Sequence, residues 1–322
     1  MSKKSALVLG CNGQDGSLMS HFLLKRGYKV IGITRSEKKE NKNLIKLGIQ
    51  KDIKIVQADI TNFESIYKSI DYYQPSKIYN LAGQSSVGKS FSEPINTINS
   101  IVTGTINILE AARKLSFDGS MFFAGSSEIF GNTLKAAKVD NHQDPRSPYA
   151  IGKQSSLNLV KTYREVHNLK CTTGILFNHE SPLREDYFVT QKIITGAIEC
   201  SKNKSHKINL GNLKIARDWG WAEEYVNAMF LMLESNIVKD QVICTGKLTE
   251  IEKFIEICFK YFDLNWHDHV VCDKKLIRSN DIKISFGDPE SIYKDLGWRT
   301  KIDIEELIEK LINYKICDAN QR

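Results

Sequence analysis

Among 322 residues the chain has seven cysteines and no Cys-x-x-Cys pair. Cys11, Cys171, Cys200, Cys244, Cys258, Cys272 and Cys317 are scattered without a repeating interval. An odd, unpatterned set argues against a disulfide framework and a zinc site, and for reduced thiols in a cytoplasmic setting. No metal is expected. No apolar run approaches the roughly 18 residues needed to span a bilayer, so no membrane association is expected either. Met1–Ser5 is too short and too polar to be a secretory signal before the first strand. Internal repeats and low-complexity tracts are also missing, which excludes repeat architectures. A large charge of one sign is absent: 45 basic against 38 acidic residues give +7. That excess is no nucleic-acid signature, and it suits an anionic small molecule. The lysine-rich run 38–46 reads as a solvated loop or helix face.

What is present is ordinary globular composition, 41% hydrophobic and 26% charged. Short apolar runs at 6–9, 29–33, 53–58, 77–81 and 121–124 read as strands, and Leu176-Phe177 ends a sixth. Helical patterns lie between them, notably at 97–114. Strand–helix alternation over about 175 residues implies an α/β fold with a doubly wound parallel sheet of the Rossmann type. After Asn178 the rhythm changes to helical stretches near 188–202, 222–234, 250–261 and 304–314 with short strands between them. These features predict a dinucleotide-binding domain from 1–177 plus about 211–245. The segments 178–210 and 246–322 form a smaller, discontinuous C-terminal substrate lobe at the carboxyl ends of the strands, where such folds bind ligands.

Gly10, Gly13 and Gly16 stand as GxxGxxG between the first strand and a helix. Glycines at that junction let the backbone turn tightly and approach a pyrophosphate, which the helix N-terminus attracts. The alternative is an ordinary strand-to-helix loop, which the flanking strand and helix argue against. The second strand ends in Ile33-Thr34-Arg35-Ser36, without the acid that would bind the ribose 2′-hydroxyl of NAD. Arg35 suits the 2′-phosphate of NADP, although a solvated surface arginine remains the competing reading. Asp59, after the third strand, either meets the adenine or makes a turn.

Tyr149 and Lys153 form YxxxK behind Pro148, a residue suited to a helix start. Positions i and i+4 share one helical face. A lysine ammonium beside a phenol lowers its pKa from about 10, so Tyr149 can take a proton from a sugar hydroxyl as hydride leaves the same carbon. The fifth strand runs into Gly125-Ser126-Ser127-Glu128. Ser126 is placed to hydrogen-bond the reacting hydroxyl. Glu128 separates reaction types: an epimerase or reductase needs only Ser, Tyr and Lys, whereas a dehydratase needs a further base for the proton α to a new ketone. A solvated loop carboxylate is the plainer reading of Glu128.

Several stretches carry a resemblance: Gly13-Gln14-Asp15-Gly16, Asn80 to Ser85, Pro145 to Ala150, Gly174 to Pro182, Leu210 to Leu213, Arg217-Asp218-Trp219-Gly220, Gly287-Asp288-Pro289 and Leu296-Gly297-Trp298. In this order the chain resembles the GDP-mannose 4,6-dehydratase family of extended short-chain dehydrogenases. The resemblance implies Ser126, Glu128, Tyr149 and Lys153 as catalytic residues. It implies an NADP site formed by Gly10, Asn12, Gly13, Gln14, Asp15, Gly16, Arg35, Asp59, Ile60, Leu81, Ala82, Gln84, Tyr149, Lys153, His179 and Arg184. It places Ser85, Glu128, Asn178, Lys192, Arg217 and Arg278 against a GDP-sugar. Without it, Asn178 and His179 read as strand-end polar residues, and Lys192, Arg217 and Arg278 as solvated cations. The expected assembly is a homodimer or homotetramer. The family's arginine pair after the second strand is reduced to Arg35, and its Arg-Arg-Gly stands as Leu183-Arg184-Glu185. Asn96 and Ser86 replace a tyrosine and a histidine. These changes surround the pockets and leave the sugar open among mannose, a heptose and an N-acetylhexosamine. A reductase or epimerase on the same scaffold stays an alternative. A silent NADP-binding sensor would need loss of Tyr149, Lys153 or the glycine loop, and all are intact.

Overall fold

The computed structural model describes residues 4–35, 41–276 and 280–320 of the chain. Six strands follow in sequence: β1 Ser5–Leu9, β2 Lys29–Thr34, β3 Lys54–Gln57, β4 Lys77–Asn80, β5 Ser120–Ala124 and β6 Cys171–Leu176. With Gln241–Ile243 they build one seven-stranded parallel sheet. Its order is Gln241–Ile243, β6, β5, β4, β1, β2, β3. The sheet is the doubly wound one expected from the alternating pattern. The order reverses between β1 and β4, and ligands bind at the carboxyl ends beside such a switch point.

Alternation along β1 shows why both faces are covered. Ala6 and Val8 join a core with Leu18, Met19 and Leu23 of helix α1, Gln14–Leu24, and with Val226 and Met229 of the helix Ala222–Glu234. Leu7 and Leu9 face the other way, onto Ile66, Ile70, Ile108, Leu109 and Val160. Those belong to the helices Phe63–Tyr73, Gly104–Lys114 and Pro148–His167. Ala6, Leu7, Val8 and Leu9 are fully buried. Leu7, Val8 and Leu9 each contribute roughly 1.5–3 kcal/mol on burial.

The helix expected over 97–114 is interrupted. Pro94–Ile98 passes through a π-helical turn at Asn99–Thr103 before Gly104–Lys114. The wide turn presents the Ile101 carbonyl to Ser156 Oγ at 3.2 Å, and Ser100 Oγ accepts from Gln84 N at 3.3 Å. A tertiary contact of this kind leaves no trace in local periodicity.

Beyond β6, the helices Val189–Lys202, Ile251–Lys260 and Ile304–Asn320 are those the sequence predicts. They share a separate core with Trp219 and Trp221. Short ladders stitch this region together: Asn178–Glu180 runs parallel to Trp219–Trp221, and Ala216–Arg217 lies between Thr249–Glu250 and Ile284–Ser285. No helix among the described residues is long and apolar enough to cross a membrane. Of the lysine run, Lys42–Lys46 forms a short helix, and 36–40 lie outside the described residues.

The edge strand Gln241–Ile243 is pinned by one ion pair. Arg164 donates to both oxygens of Asp240, at 2.9 and 2.7 Å, and to Cys171 O at 2.9 Å. Asp240 also accepts from Thr173 N at 2.7 Å. The two side chains are 16% and 6% exposed. Removing one partner strands a buried charge, so Arg164→Ala is expected to cost about 3–5 kcal/mol of unfolding free energy. Denaturant unfolding checks this; a loss below about 1 kcal/mol would equate the pair with a surface salt bridge.

Candidate active site

The glycine loop shows what each glycine does. Gly10 ends β1 at φ +79°, where a Cβ would sit 2.8 Å from Leu81 O. A Cβ on Gly16 would collide with the Gly10 carbonyl. These two positions let α1 and the end of β4 close onto the loop. Gly13 is the N-cap of α1 and exposed; no side chain caps that end. The first-turn N–H groups therefore remain to receive an anion, as a dinucleotide pyrophosphate requires. Asn12 Nδ2 donates to Thr34 Oγ1 at 3.2 Å, and Asn43 Nδ2 donates to Asn12 O at 3.2 Å, holding the loop from both sides.

Arg35 stands exposed at the end of β2, its carbonyl accepting from Gln57 Nε2 at 3.1 Å. Asp59 makes a turn of its own, accepting from Thr61 N at 2.9 Å and Thr61 Oγ1 at 2.8 Å. Ile60 is buried, its carbonyl taking Asn107 Nδ2 at 2.9 Å. These three residues flank the loop, outside the walls of the main cleft.

That cleft encloses about 430 Å³ at the carboxyl ends of β4, β5 and β6. It brings together Asp15, Leu81, Ala82, Gln84, Ser85, Ser126, Glu128, Tyr149, Lys153, Asn178, His179, Arg184, Lys192 and Arg217. Arg278 lies outside the described residues. After β4 the chain turns at Gly83 (φ +129°), and Gln84 Nε2 binds Ser86 O at 2.8 Å and Thr97 Oγ1 at 3.2 Å.

Ser126 follows β5, and its hydroxyl accepts from Glu128 N at 3.3 Å as the start of a 3₁₀ turn, Ser127–Phe130. Glu128 is half-buried on the cleft wall. Opposite, Ser147 caps the helix Pro148–His167 by accepting from Ala150 N at 3.1 Å, with Pro148 at its first position. Tyr149 and Lys153 come one turn apart on the helix face toward the cleft.

Their electrostatics depart from the expectation that Lys153 lowers the phenol. Burial pushes Tyr149 up to about 12; a hydrogen bond from Ser126 works against this, and the Glu128 charge adds to it. Burial likewise pulls Lys153 down to about 8, against the attraction of Asp15. The ammonium spends one hydrogen on Ala124 O at 2.7 Å and lies 5.7 Å from the centre of the Tyr149 ring. In the chain alone the phenol is therefore protonated at neutral pH.

The strand Asn178–Glu180 closes the far wall. His179 is buried and its Nε2 lies 3.0 Å from both carboxylate oxygens of Asp15. Glu180, 1% exposed, accepts from Thr190 Oγ1 at 2.7 Å and lies 3.6 Å from Arg184 Nε. That Nε is buried without a hydrogen-bond partner among the described residues, and the guanidinium lies 3.7 Å from the Phe188 ring centre. Lys192 is exposed over the cleft. Arg217, read from sequence as a solvated cation, is 8% exposed and lies 3.5 Å from Asp281, donating to Ala216 O and Lys283 O.

Sequence reasoning gave no role to Glu180, Asp218, Tyr187 or Asp281. Asp218 is fully buried and clamps the turn after Gln241–Ile243, accepting from Thr245 N, Thr245 Oγ1 and Gly246 N at 2.7–2.9 Å. Burial lifts its pKa to about 6 against those hydrogen bonds. Its place in Arg-Asp-Trp-Gly was the available signal. Tyr187 and Asp281 line the cleft with no local motif to mark them.

Comparison with known proteins gives this geometry its relatives. The sequence profile described as GDP-mannose 4,6 dehydratase matches residues 7–311. GDP-mannose 4,6 dehydratase 1 of Arabidopsis thaliana is 36% identical over 324 residues, covering 97% of this chain and 89% of that protein. The human GDP-mannose 4,6 dehydratase is 32% identical over 335 residues, covering 96% and 90%. Among solved structures, a UDP-glucose 4-epimerase from Thermotoga maritima with UDP-glucose superposes with TM-score 0.87 at 20% identity, covering 98% and 99% of the two chains. A dTDP-glucose 4,6-dehydratase from Bacillus anthracis in complex with NAD gives TM-score 0.85 at 19% identity, covering 98% of each. The structural likenesses speak for the fold, and the sequence matches go further: the chain belongs to the GDP-mannose 4,6-dehydratase family.

Proposed function

We propose that this chain is a GDP-sugar 4,6-dehydratase, a lyase that removes water from GDP-mannose or a close relative to give the 4-keto-6-deoxy sugar. The observation that carries the reading is Glu128 on the wall of the cleft shared by Ser126, Tyr149 and Lys153. The sequence relatives named for this activity support it. Residues 1–177 with about 211–245 form the dinucleotide-binding domain in this reading, and 178–210 with 246–322 the substrate lobe. A homodimer or homotetramer and a cytoplasmic location, the latter from the scattered thiols, belong to the same proposal.

The loop fits a nicotinamide dinucleotide: Gly10 and Gly16 form a cradle that Cβ atoms would fill, and the end of α1 is uncapped. Gly13, Gln14 and Asp15 would border the diphosphate, with Leu81, Ala82, His179 and Arg184 along the rest. Bound there in oxidised form, the group supplies hydride acceptance and return together with a positive charge, so the reaction is redox-neutral overall.

The chain's own residues move the protons. Tyr149 takes the proton of the C4 hydroxyl, with Ser126 holding that hydroxyl in line and Lys153 fixed behind on Ala124 O. The C4 ketone acidifies the C5 hydrogen, which Glu128 removes. Glu128, or Ser127 with a water, returns a proton to the departing C6 hydroxyl, and one water leaves. C4 is oxidised and C6 reduced, and a proton equivalent to the one Tyr149 took returns to C5, so one water is the net loss. Lys192 and Arg217 on the cleft wall, with Arg278, are suited to the diphosphate and nucleotide, and Ser85 and Asn178 to the sugar.

Arg35, standing where an acid would bind a free ribose hydroxyl, favours NADP over NAD. Titration calorimetry is expected to show tighter binding of NADP⁺ by wild type, and Arg35→Asp to move the preference toward NAD⁺. Equal wild-type affinities would remove the NADP assignment.

A positioned base contributes about 10²–10⁴-fold. Glu128→Gln is therefore expected to lose dehydration by that factor while retaining cofactor and nucleotide-sugar binding. Mass spectrometry of products from a panel of GDP-sugars reads the loss of one water, and deuterium placed at C4 is expected at C6. If Glu128→Gln dehydrates at the wild-type rate, or the label goes to solvent, the reductase or epimerase reading replaces this one.

A further inference from the structure

Asp15 occupies the first turn of α1, the end at which the proposed cofactor's diphosphate would bind. A carboxylate there is stabilised by the helix dipole, yet it repels any second anion brought to the same N–H groups. A binding site for a dinucleotide needs that charge offset.

His179 is placed to offset it. Its Nε2 faces both Asp15 oxygens at 3.0 Å, and its Nδ1 faces Phe177 O at 2.7 Å. A carbonyl oxygen only accepts, so Nδ1 must carry a hydrogen. A carboxylate only accepts, so Nε2 must carry one as well. An imidazole with two N–H groups is the cation. The neutral Nδ1–H tautomer would point a lone pair at two carboxylate oxygens. Turning the ring over would place carbons where the two nitrogens now meet oxygens. It is 6% exposed and stacked on Tyr225, with centres 4.7 Å apart and planes 21° apart. Gln14 secures the pair from the loop side, donating to Asp15 Oδ1 at 3.0 Å and to His179 O at 3.2 Å, and its own Oε1 accepts from Ser181 Oγ at 2.9 Å.

We propose that His179 is an imidazolium, a positioning residue that cancels the Asp15 charge beneath the anion-binding end of α1 and so makes the cofactor site pH-dependent. This rests on the reading that the glycine loop binds a nicotinamide dinucleotide. The groups facing the pair from the elements packed around it are Arg184 and Glu180 from the far wall, Tyr225 from the helix Ala222–Glu234, and Tyr149 and Lys153 across the cleft. Arg184 lies 3.6 Å from Glu180 and its charge also acts on Asp15, while His179 is the group in direct contact with both Asp15 oxygens. Burial alone would lower the histidine's pKa, but the Asp15 carboxylate outweighs it and raises it. Burial would raise Asp15, but the charge and hydrogen bond of His179, together with Gln14 and Arg184, outweigh it and bring it to about 2. A histidine raised by a partner is charged at low pH and loses its charge as pH rises through the raised value. Cofactor affinity is therefore highest at the acid end and falls toward alkaline pH.

The first experiment is nitrogen-15 NMR of the histidine rings in the full wild-type chain at pH 7.5. Two protonated ring nitrogens on His179 are expected; a neutral-tautomer pattern overturns the proposal and needs no variant to fold. The second is NADP⁺ titration calorimetry between pH 7 and 9.5, a window above the titration of the ligand's own phosphate. Wild-type Kd is expected to rise about tenfold, the scale of one partly buried charge at a helix end. His179→Gln leaves Asp15 uncompensated and is expected to bind about tenfold more weakly across the whole window. Asp15→Asn is expected to remove the part of the slope that His179 supplies, leaving the part due to Lys153, which burial pulls down to about 8. The double variant is expected to bind better than His179→Gln alone, since removing both charges restores neutrality. Contacting residues are non-additive whatever their role, so it is the recovery of affinity on adding the second substitution that identifies charge cancellation. An unchanged slope in Asp15→Asn, or a double variant weaker than His179→Gln, overturns the proposal. Wild type that binds neither NADP⁺ nor NAD⁺ at any pH overturns the dinucleotide reading itself.

Discussion

The contact on which the rest of this structure depends is backbone against backbone. Gly16 presses its Cα face onto the Gly10 carbonyl, and Gly10 in turn lies against Leu81 and Ala82. Atoms at those distances leave no room for a side chain, so helix α1 can begin directly over the ends of β1 and β4. That is the point where the strand order reverses. Everything that follows a strand on the far side of the switch is thereby delivered to one rim: Gln84 after β4, Ser126 and Glu128 after β5, and Asn178 to Arg184 after β6. The glycine triplet thus sets more than a turn; it fixes where the cleft can be.

The parts of this arrangement that depend on local pattern were legible in the sequence. β1 alternates Ala6 and Val8 against Leu7 and Leu9 across the sheet, and the Gly10–Gly16 spacing and Tyr149–Lys153 spacing each describe a single element. Contacts made across the fold were not legible. In the π-helical turn at Asn99–Thr103 the Ile101 carbonyl meets Ser156, 55 positions away. Gln241–Ile243 is too short to carry a period and takes its place through Arg164 and Asp240. Arg217 followed the general rule for arginines until Asp281 and two carbonyls were seen to surround it. Asp59 shows the opposite case, since a turn with Thr61 satisfies it without any ligand.

Burial explains how the cleft keeps so many ionisable groups. Removing a charge from water costs several kcal/mol unless a partner offsets it. Asp15 has His179, Glu180 has Thr190 and Arg184, Arg217 has Asp281, and Asp218 has three donors from one turn. Of these groups, Asp15, His179, Arg184, Arg217 and Asp281 stand on the cleft wall.

Tyr149 and Lys153 are the exceptions, and the difference is chemical. Their hydrogen bonds go to a neutral hydroxyl and a neutral carbonyl, Ser126 and Ala124 O. Burial outweighs the Arg184 charge acting on the phenol and the Asp15 charge acting on the ammonium, so the two groups move in opposite directions, the phenol up to about 12 and the ammonium down to about 8. Both shifts favour the uncharged form. A positive charge arriving beside Tyr149 reverses the balance for the phenol, and an anionic ligand reverses it for Lys153. A group in direct contact with an opposite charge, as Asp15 is with His179, keeps its charge over a wider range of pH. The site is therefore divided by its electrostatics: paired residues that set geometry, and an unpaired tyrosine and lysine whose protonation is left for the ligand to decide.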